Sequence, residues 1–268
     1  MTKWLIVFVC YDNKPNYEVY FKKIKRFLKL CIIKDIVIVN TCLGEIVSTT
    51  DDGINIVANK NINYEMEFSG YYHGLEWHNK YNSISEKSNQ SFIILNDTLL
   101  KHGKLRKIER IAFNEWKVVS RYQSFNSSTI YGFWHKSKFL HNTEMKDGYF
   151  NSKLLAFNNV SFEKFSSLIN LNVIKVTLMA DNTYKNNIFT SDAYSLFLKQ
   201  WLNEGEGWYK SEKINVLNKC FFEAKAKSII HEHYLSKYSK EISINHYCMI
   251  KKSIITKLIM YLTGFKYQ

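Results

Sequence analysis

The 268-residue chain contains one proline and ten glycines. That scarcity excludes collagen-like repeats, Pro-rich linkers and Gly/Ser spacers. No stretch approaches the roughly 18 consecutive apolar residues that span a bilayer as a helix. The five cysteines, at positions 10, 31, 42, 220 and 248, are odd in number and form no CxxC pair. A chain of this length buries a core without disulfide staples, so a reducing compartment and no structural zinc site are expected. Walker A, GxGxxG, the GxSxG elbow, the kinase signature set and HExxH spacing are all missing. Acidic residues are few beside basic ones, 24 against 37, which leaves a net charge of +13.

What is there reads as globular. Hydrophobic residues make up 46% and charged residues 23%, which excludes wholesale disorder. Aromatics reach 16%, and Asn, Lys, Ile, Tyr and Phe are abundant. A coding sequence rich in A and T would produce such a composition and part of the charge. A basic surface suits nucleic acid, an anionic membrane face or phosphorylated small molecules, and charge alone does not choose.

Met1-Thr2-Lys3-Trp4 leads into the apolar run LIVFVC. The run is short and meets Tyr11-Asp12-Asn13 rather than a small-residue cleavage site. It is therefore expected as a buried strand over 4–10, not a signal peptide. Residues 17–31 place Val19, Ile24, Phe27, Leu28 and Cys31 on one helical face. A second buried strand follows at 35–40, completing a βαβ unit. Strands are expected at 54–58, 91–95, 116–121, 129–134 and 153–157. Helices are expected at 71–82, 104–113, 161–170, 192–203 and 215–240. This alternation predicts an α/β fold with a mainly parallel sheet over residues 1–160 and a helical extension over 161–268.

Two segments carry chemistry. Asn96-Asp97-Thr98 directly follows the strand SFIIL. Ligands of open α/β sheets bind outside the carboxyl ends of strands, and an aspartate there can hold a divalent cation against a diphosphate. The same three residues also suit a simple Asx turn. The second segment is Glu67-Phe68-Ser69-Gly70-Tyr71, with His73-Gly74-Leu75 behind it. Small residues beside aromatics allow close backbone approach by a ligand at a helix start, or an ordinary N-cap and turn glycine.

Taken together, NxNxxxEFSGYYHGLEW and FIILNDT resemble the nucleotide-binding half of GT-A-fold glycosyltransferases of the bacterial rhamnan-synthesis and O-antigen type. The resemblance covers about residues 4–160 and implies a nucleotide-diphospho-sugar donor (UDP- or dTDP-sugar). Carried over, Asn96, Asp97 and Thr98 form the diphosphate turn, with Asp97 on a Mn2+ or Mg2+ ion. Glu67, Ser69 and Gly70 form the donor pocket, and Asp12 stands near the base. Trp134, Asn151 and Ser152 line the acceptor side. The turn has one carboxylate, and the family's Gln-Ser-Tyr is replaced by Asn151-Ser152-Lys153. The implied acceptor is a lipid-linked glycan for O-antigen or capsule. The implied location is cytoplasmic, peripheral on the inner face of the bacterial inner membrane.

An inverting transferase needs a carboxylate to take the acceptor proton. Asp192, in Thr190-Ser191-Asp192-Ala193, stands at a helix start at the expected distance from the metal turn. It serves as that base, or Ser191 or Asp192 caps the helix. Asp147, Asp181 and Glu204 are the alternatives. His231-Glu232-His233 has i, i+2 spacing on a helix, which is poor for a metal, so packed or solvated histidines are expected. Trp201 and Trp208 flank Glu204-Gly205-Glu206-Gly207, and Trp208 is a candidate for the acceptor side. No acidic residue occurs from Cys248 to Gln268, while lysines alternate with apolar residues. That tail suits an anionic membrane surface or a helix docked on the core. The competing readings are a non-catalytic nucleotide-sugar-binding relative and a nucleic-acid-binding module. The lysines are dispersed and no nucleic-acid motif occurs, so no nucleic-acid partner is expected.

Overall fold

The N-terminal apolar run lies at the centre of the molecule because both of its faces are covered. The computed structural model describes residues 1–44, 46–49, 54–58, 66–101, 105–122, 126–137, 140–169, 172–203 and 213–263. In chain order the elements are β1 (Lys3–Cys10), α1 (Tyr17–Phe27), β2 (Ile32–Asn40), β3 (Ile46–Thr49), β4 (Ile54–Ala58), α2 (Glu67–Tyr81), β5 (Asn89–Asn96), α3 (Asp97–Lys101) and α4 (Lys107–Tyr122). They continue with β6 (Thr129–Gly132), β7 (Trp134–His135), β8 (Tyr149–Phe150), β9 (Leu154–Ser161), α5 (Phe162–Leu168), β10 (Val176–Leu178) and β11 (Tyr184–Asn186). The last are α6 (Asp192–Asn203), α7 (Lys219–Tyr238), β12 (Asn245–Cys248), α8 (Met249–Lys252) and α9 (Ile254–Thr263).

Eight strands form the main sheet in the order β12-β6-β9-β5-β1-β2-β4-β3. β1 pairs parallel with β2 and β5, β2 with β4, and β12 with β6. Only β9, set between β5 and β6, and the edge strand β3 run against the rest. The result is an α/β protein with a mainly parallel sheet. Side-chain alternation along β1 separates two layers. Trp4, Ile6, Phe8 and Cys10 pack with Ile24 of α1, with Leu28 just after it, and with Ala112, Phe113 and Trp116 of α4. Leu5, Val7 and Val9 pack on the other face with α2, α5 and α7. A third cluster joins α6, α7 and the β10–β11 hairpin into a lobe beside the sheet.

Several expectations change. Residues 116–121 are not a strand but the second half of α4. Ala112, Phe113, Trp116, Lys117 and Ser120 are buried at helical spacing, and that stripe overrides the β-branched pair Val118-Val119. Val19 is exposed, while Tyr20 takes the buried position on α1. Asn16 starts that helix by accepting from Val19 N at 3.0 Å. The segment after 160 is not helical alone: β12 returns to extend the main sheet beside β6. Among the described residues, no helix is long and apolar enough to cross a membrane.

Candidate functional site

The carboxyl ends of β1 and β5 open onto a cavity of about 650 Å³. Parallel strands that all end on one side leave such a crevice, and here the α6–α7 lobe closes it. From the sheet side come Tyr11, Asn96 and Thr98, with Met66 and Glu67 at the start of α2. The turn between β8 and β9 contributes Asn151, Ser152 and Lys153. Helix α7 presents Phe221, Lys225, Ser228, Ile229 and Glu232, which fall on one stripe at helical spacing. Phe197 and Trp201 of α6 complete the wall.

The Asn151-Ser152-Lys153 turn is the junction. Ser152 N donates to the Glu232 carboxylate in a short hydrogen bond. Ser152 Oγ donates to Glu67 Oε1 at 3.3 Å, and Tyr71 Oη donates to Ser152 O at 3.2 Å. Phe150 N donates to Ser236 Oγ at 2.8 Å, which fastens the turn to α7 a second time. Two carboxylates, Glu67 and Glu232, are thus brought to either side of one serine. Burial pushes the Glu232 carboxyl up to about 7; the Ser152 hydrogen bonds oppose this and the Glu67 charge adds to it.

Beside the cavity, Glu109 is fully buried with cations around it. Arg106 N and Nη2 donate to it at 2.8 and 2.9 Å, and Lys153 Nζ stands 3.6 Å away. Burial alone would raise its pKa, but these partners outweigh burial and hold it below the usual carboxylate range. The network fixes the stem of Lys153 at the cavity wall. His233 is buried, holds Tyr194 Oη at 2.7 Å through Nδ1, and burial depresses it to about 3. His231 packs against Phe68. Both histidines are packed, as the i, i+2 spacing implied, while the glutamate between them faces the cavity.

The structure brings Glu67, Asn96, Thr98, Asn151 and Ser152 together around this cavity. It does not bring Asp192 there. Asp192 is exposed on the first turn of α6, and Ser191 caps that helix, its Oγ accepting from Tyr194 N at 3.2 Å. Asp147 and Asp181 are exposed and outside the cavity wall. Glu204 and Trp208 lie outside the described residues. Trp134 donates its Nε1 to Asp147 O at 2.8 Å and packs on Phe150 and His246 rather than lining the cavity. Asp12 accepts from Tyr20 Oη at 2.6 Å and from Lys14 N at 3.0 Å, in the loop after β1.

Ser69 and Gly70 are buried in the first turn of α2, whose N-cap is Met66, and are not among the residues that line the cavity. A Cβ at Gly70 would lie 2.7 and 2.8 Å from the Val9 methyls, so this glycine lets the helix sit close on β1. Asp97 opens α3 and accepts from Tyr11 N through Oδ2 at 3.1 Å, tying the ends of β1 and β5 together. Among the described residues, no three His, Cys, Asp or Glu side chains gather where they could hold a cation.

Sequence reasoning missed Glu232, Lys225 and Tyr149. The available signal was the stripe 221-225-228-232, which mixes an aromatic, a lysine, a serine and a glutamate at helical spacing. The site is a polar, carboxylate-bearing cavity with aromatic walls on an α/β scaffold, the general design of a small-molecule site. Compared with known proteins, the chain matches no family model, no curated protein and no solved structure.

Proposed function

We propose that the chain is a glycosyltransferase that binds a nucleotide-diphospho-sugar in this cavity. The observation that carries the reading is the convergence of Glu67, Asn96, Thr98, Asn151 and Ser152. These residues come from three separate segments, and donor and acceptor roles were expected of each. A mainly parallel sheet with helices on both faces is compatible with the GT-A fold. The acceptor class, a lipid-linked surface glycan, follows from the segments that resemble the rhamnan-synthesis and O-antigen type.

Lys225 brings positive charge to the wall, as a diphosphate requires, and Lys153 stands there with its ammonium 3.6 Å from Glu109. Tyr149, Phe197, Trp201 and Phe221 offer flat apolar faces for a nucleobase or a sugar ring. Glu232 takes the role first assigned to Asp192. The acceptor oxygen bonds to the anomeric carbon, and the bond from that carbon to the diphosphate oxygen breaks. The nucleoside diphosphate leaves, and the acceptor proton passes to Glu232.

Thermal unfolding with UDP-, dTDP-, GDP- and CMP-sugars tests the reading. A bound donor at about 100 Kd contributes roughly 2.7 kcal/mol, a rise of several degrees in Tm. The rise is expected with a nucleotide-diphospho-sugar, absent with the free sugar, and reduced in Lys153→Met and Lys225→Met. If no nucleotide-sugar moves the Tm, the donor reading fails.

A further inference from the structure

Helix α9 is oriented the wrong way round for a solvated helix. Ile254, Ile255, Leu258, Tyr261 and Leu262 are between 51% and 85% exposed. Their spacing of i, i+1, i+4, i+7 and i+8 places them on one stripe. The opposite side carries the fully buried Thr256, and Met260 packs on the core. A helix held only by hydrophobic burial would turn this stripe inward.

It cannot turn, because its start is fastened. The Glu115 carboxylate of α4 accepts from Ile254 N at 2.8 Å and Ile255 N at 3.3 Å, and from Ser253 Oγ in a short bond. Thr256 N donates to Ser253 Oγ at 3.1 Å, and Thr256 Oγ1 donates to Ile250 O at 2.8 Å. These bonds set the rotation of α9 and leave the apolar stripe facing water.

The surroundings are basic. Lys251 and Lys257 are exposed on the same segment. α9 lies against α4, and α4 lies against α1 through the stacked rings of Phe27 and Phe113. The outer face of α1 exposes Lys22, Lys23, Lys25 and Arg26, and that of α4 exposes Lys107, Arg110 and Arg121. The acids of this layer are occupied: Glu109 is buried among cations, Glu115 holds α9, and Glu18 pairs with Lys22 at 3.4 Å.

We infer that α9, with the basic outer faces of α1 and α4, docks the protein on an anionic lipid bilayer. A ten-residue stripe, about 15 Å long, is too narrow for a stable protein dimer, which buries roughly 1,200 Å² or more. A second copy would also set like charges against each other. A bilayer suits both features: the stripe enters the headgroup–acyl boundary while lysines reach anionic headgroups. The inference goes beyond the donor reading and does not depend on it.

Co-sedimentation of the full-length protein with vesicles tests it, using phosphatidylglycerol–phosphatidylcholine mixtures against phosphatidylcholine alone. Deletion from residue 249 is unsuitable, because Met249 and Ile250 are core residues. The double variant Leu258→Glu/Leu262→Glu changes only exposed positions, and an unchanged Tm would confirm its fold. Wild type is expected to bind the anionic vesicles, to ignore the neutral ones and to release at high salt. The double variant should bind at least roughly tenfold more weakly. Each of Lys23→Gln, Arg26→Gln and Arg110→Gln should weaken binding by up to about fivefold. Equal binding by the folded double variant overturns the inference. So does a concentration-dependent dimer that the same variant abolishes without any vesicle binding.

Discussion

Replacing Glu232 with glutamine tests the centre of the proposed chemistry, and the structure sets the size of the effect. The side chain stands in the cavity wall, accepts from Ser152 N and faces the charge of Glu67 across Ser152. Its carboxyl is raised from an ordinary 4.5 to about 7. At about 1.4 kcal/mol per pH unit, ionisation in the folded state is disfavoured by roughly 3 kcal/mol. The sign follows from proton counting. Below pH 4.5 the group is protonated in both states and costs nothing. Between 4.5 and 7 the unfolded chain releases the proton while the folded chain keeps it, so stability falls as pH rises. Glutamine has the same shape, still accepts from Ser152 N, and does not titrate.

Denaturant unfolding of wild type and Glu232→Gln between pH 5 and pH 8.5 measures the difference. The variant should gain on wild type as pH rises, by up to roughly 3 kcal/mol at the alkaline end. His135, His233 and His246, depressed by burial to about 4, 3 and 4, lose stability in the opposite direction as pH falls below their ordinary value. They titrate in both proteins and cancel in the difference. Transfer should fall by about 10²–10⁴ in Glu232→Gln with donor binding retained, the scale of a lost general base. Asp192→Asn, a change at an exposed helix start, should leave both stability and transfer near wild type. A stability difference that stays flat across this pH range would refute the desolvated carboxyl. Full transfer in Glu232→Gln would refute the base.

Two other substitutions separate support from chemistry. Gly70→Ala should destabilise by about 1–2 kcal/mol in denaturant unfolding, because overpacking against Val9 exceeds the helix-propensity gain; a variant as stable as wild type would show that β1 yields there. Asp97→Ala should cost about 1–3 kcal/mol by removing the carboxylate that accepts from Tyr11 N. Asp97→Asn should restore that stability, and if it also keeps transfer, Asp97 is an anchor between β1 and β5 rather than a cation ligand.

The parallel core was legible because strands buried on both faces leave continuous apolar runs, and β1, β2, β4 and β5 each stand where such a run occurs. Helix α6 coincides with residues 192–203 because its stripe Tyr194, Phe197, Leu198 and Leu202 is unmixed. The second half of α4 was misread because local β-propensity at Val118-Val119 carries no information about Phe27 and the core waiting beneath Trp116 and Lys117. β12 was missed for a similar reason. Asn245-His246-Tyr247-Cys248 has no apolar run, and it becomes a strand only through pairing with β6, more than a hundred residues earlier.

The site divides along the same physical line. Asn96 and Thr98 could be placed because a strand end in a parallel sheet is a position defined by the local sequence. Glu67 was reached through the resemblance of its segment, and the structure makes it the first residue of α2, ahead of the helix expected at 71–82. Glu232 stands in the interior of α7, where neither a strand end nor a cap marks it. Its neighbours in sequence, His231 and His233, are buried in different clusters and draw attention to the wrong side chains. What makes Glu232 chemically distinct is the turn at Ser152, eighty residues away, which supplies its hydrogen bond, and the packing around it, which desolvates its carboxyl. A carboxyl raised by such surroundings is a property of the tertiary structure, so no spacing rule within α7 could have announced it. A strand end such as Asn96 is marked by the local sequence, whereas the helix start at Asp192 lies on the surface away from the cavity. Helix-interior groups that face the cavity must be sought from the cavity outward.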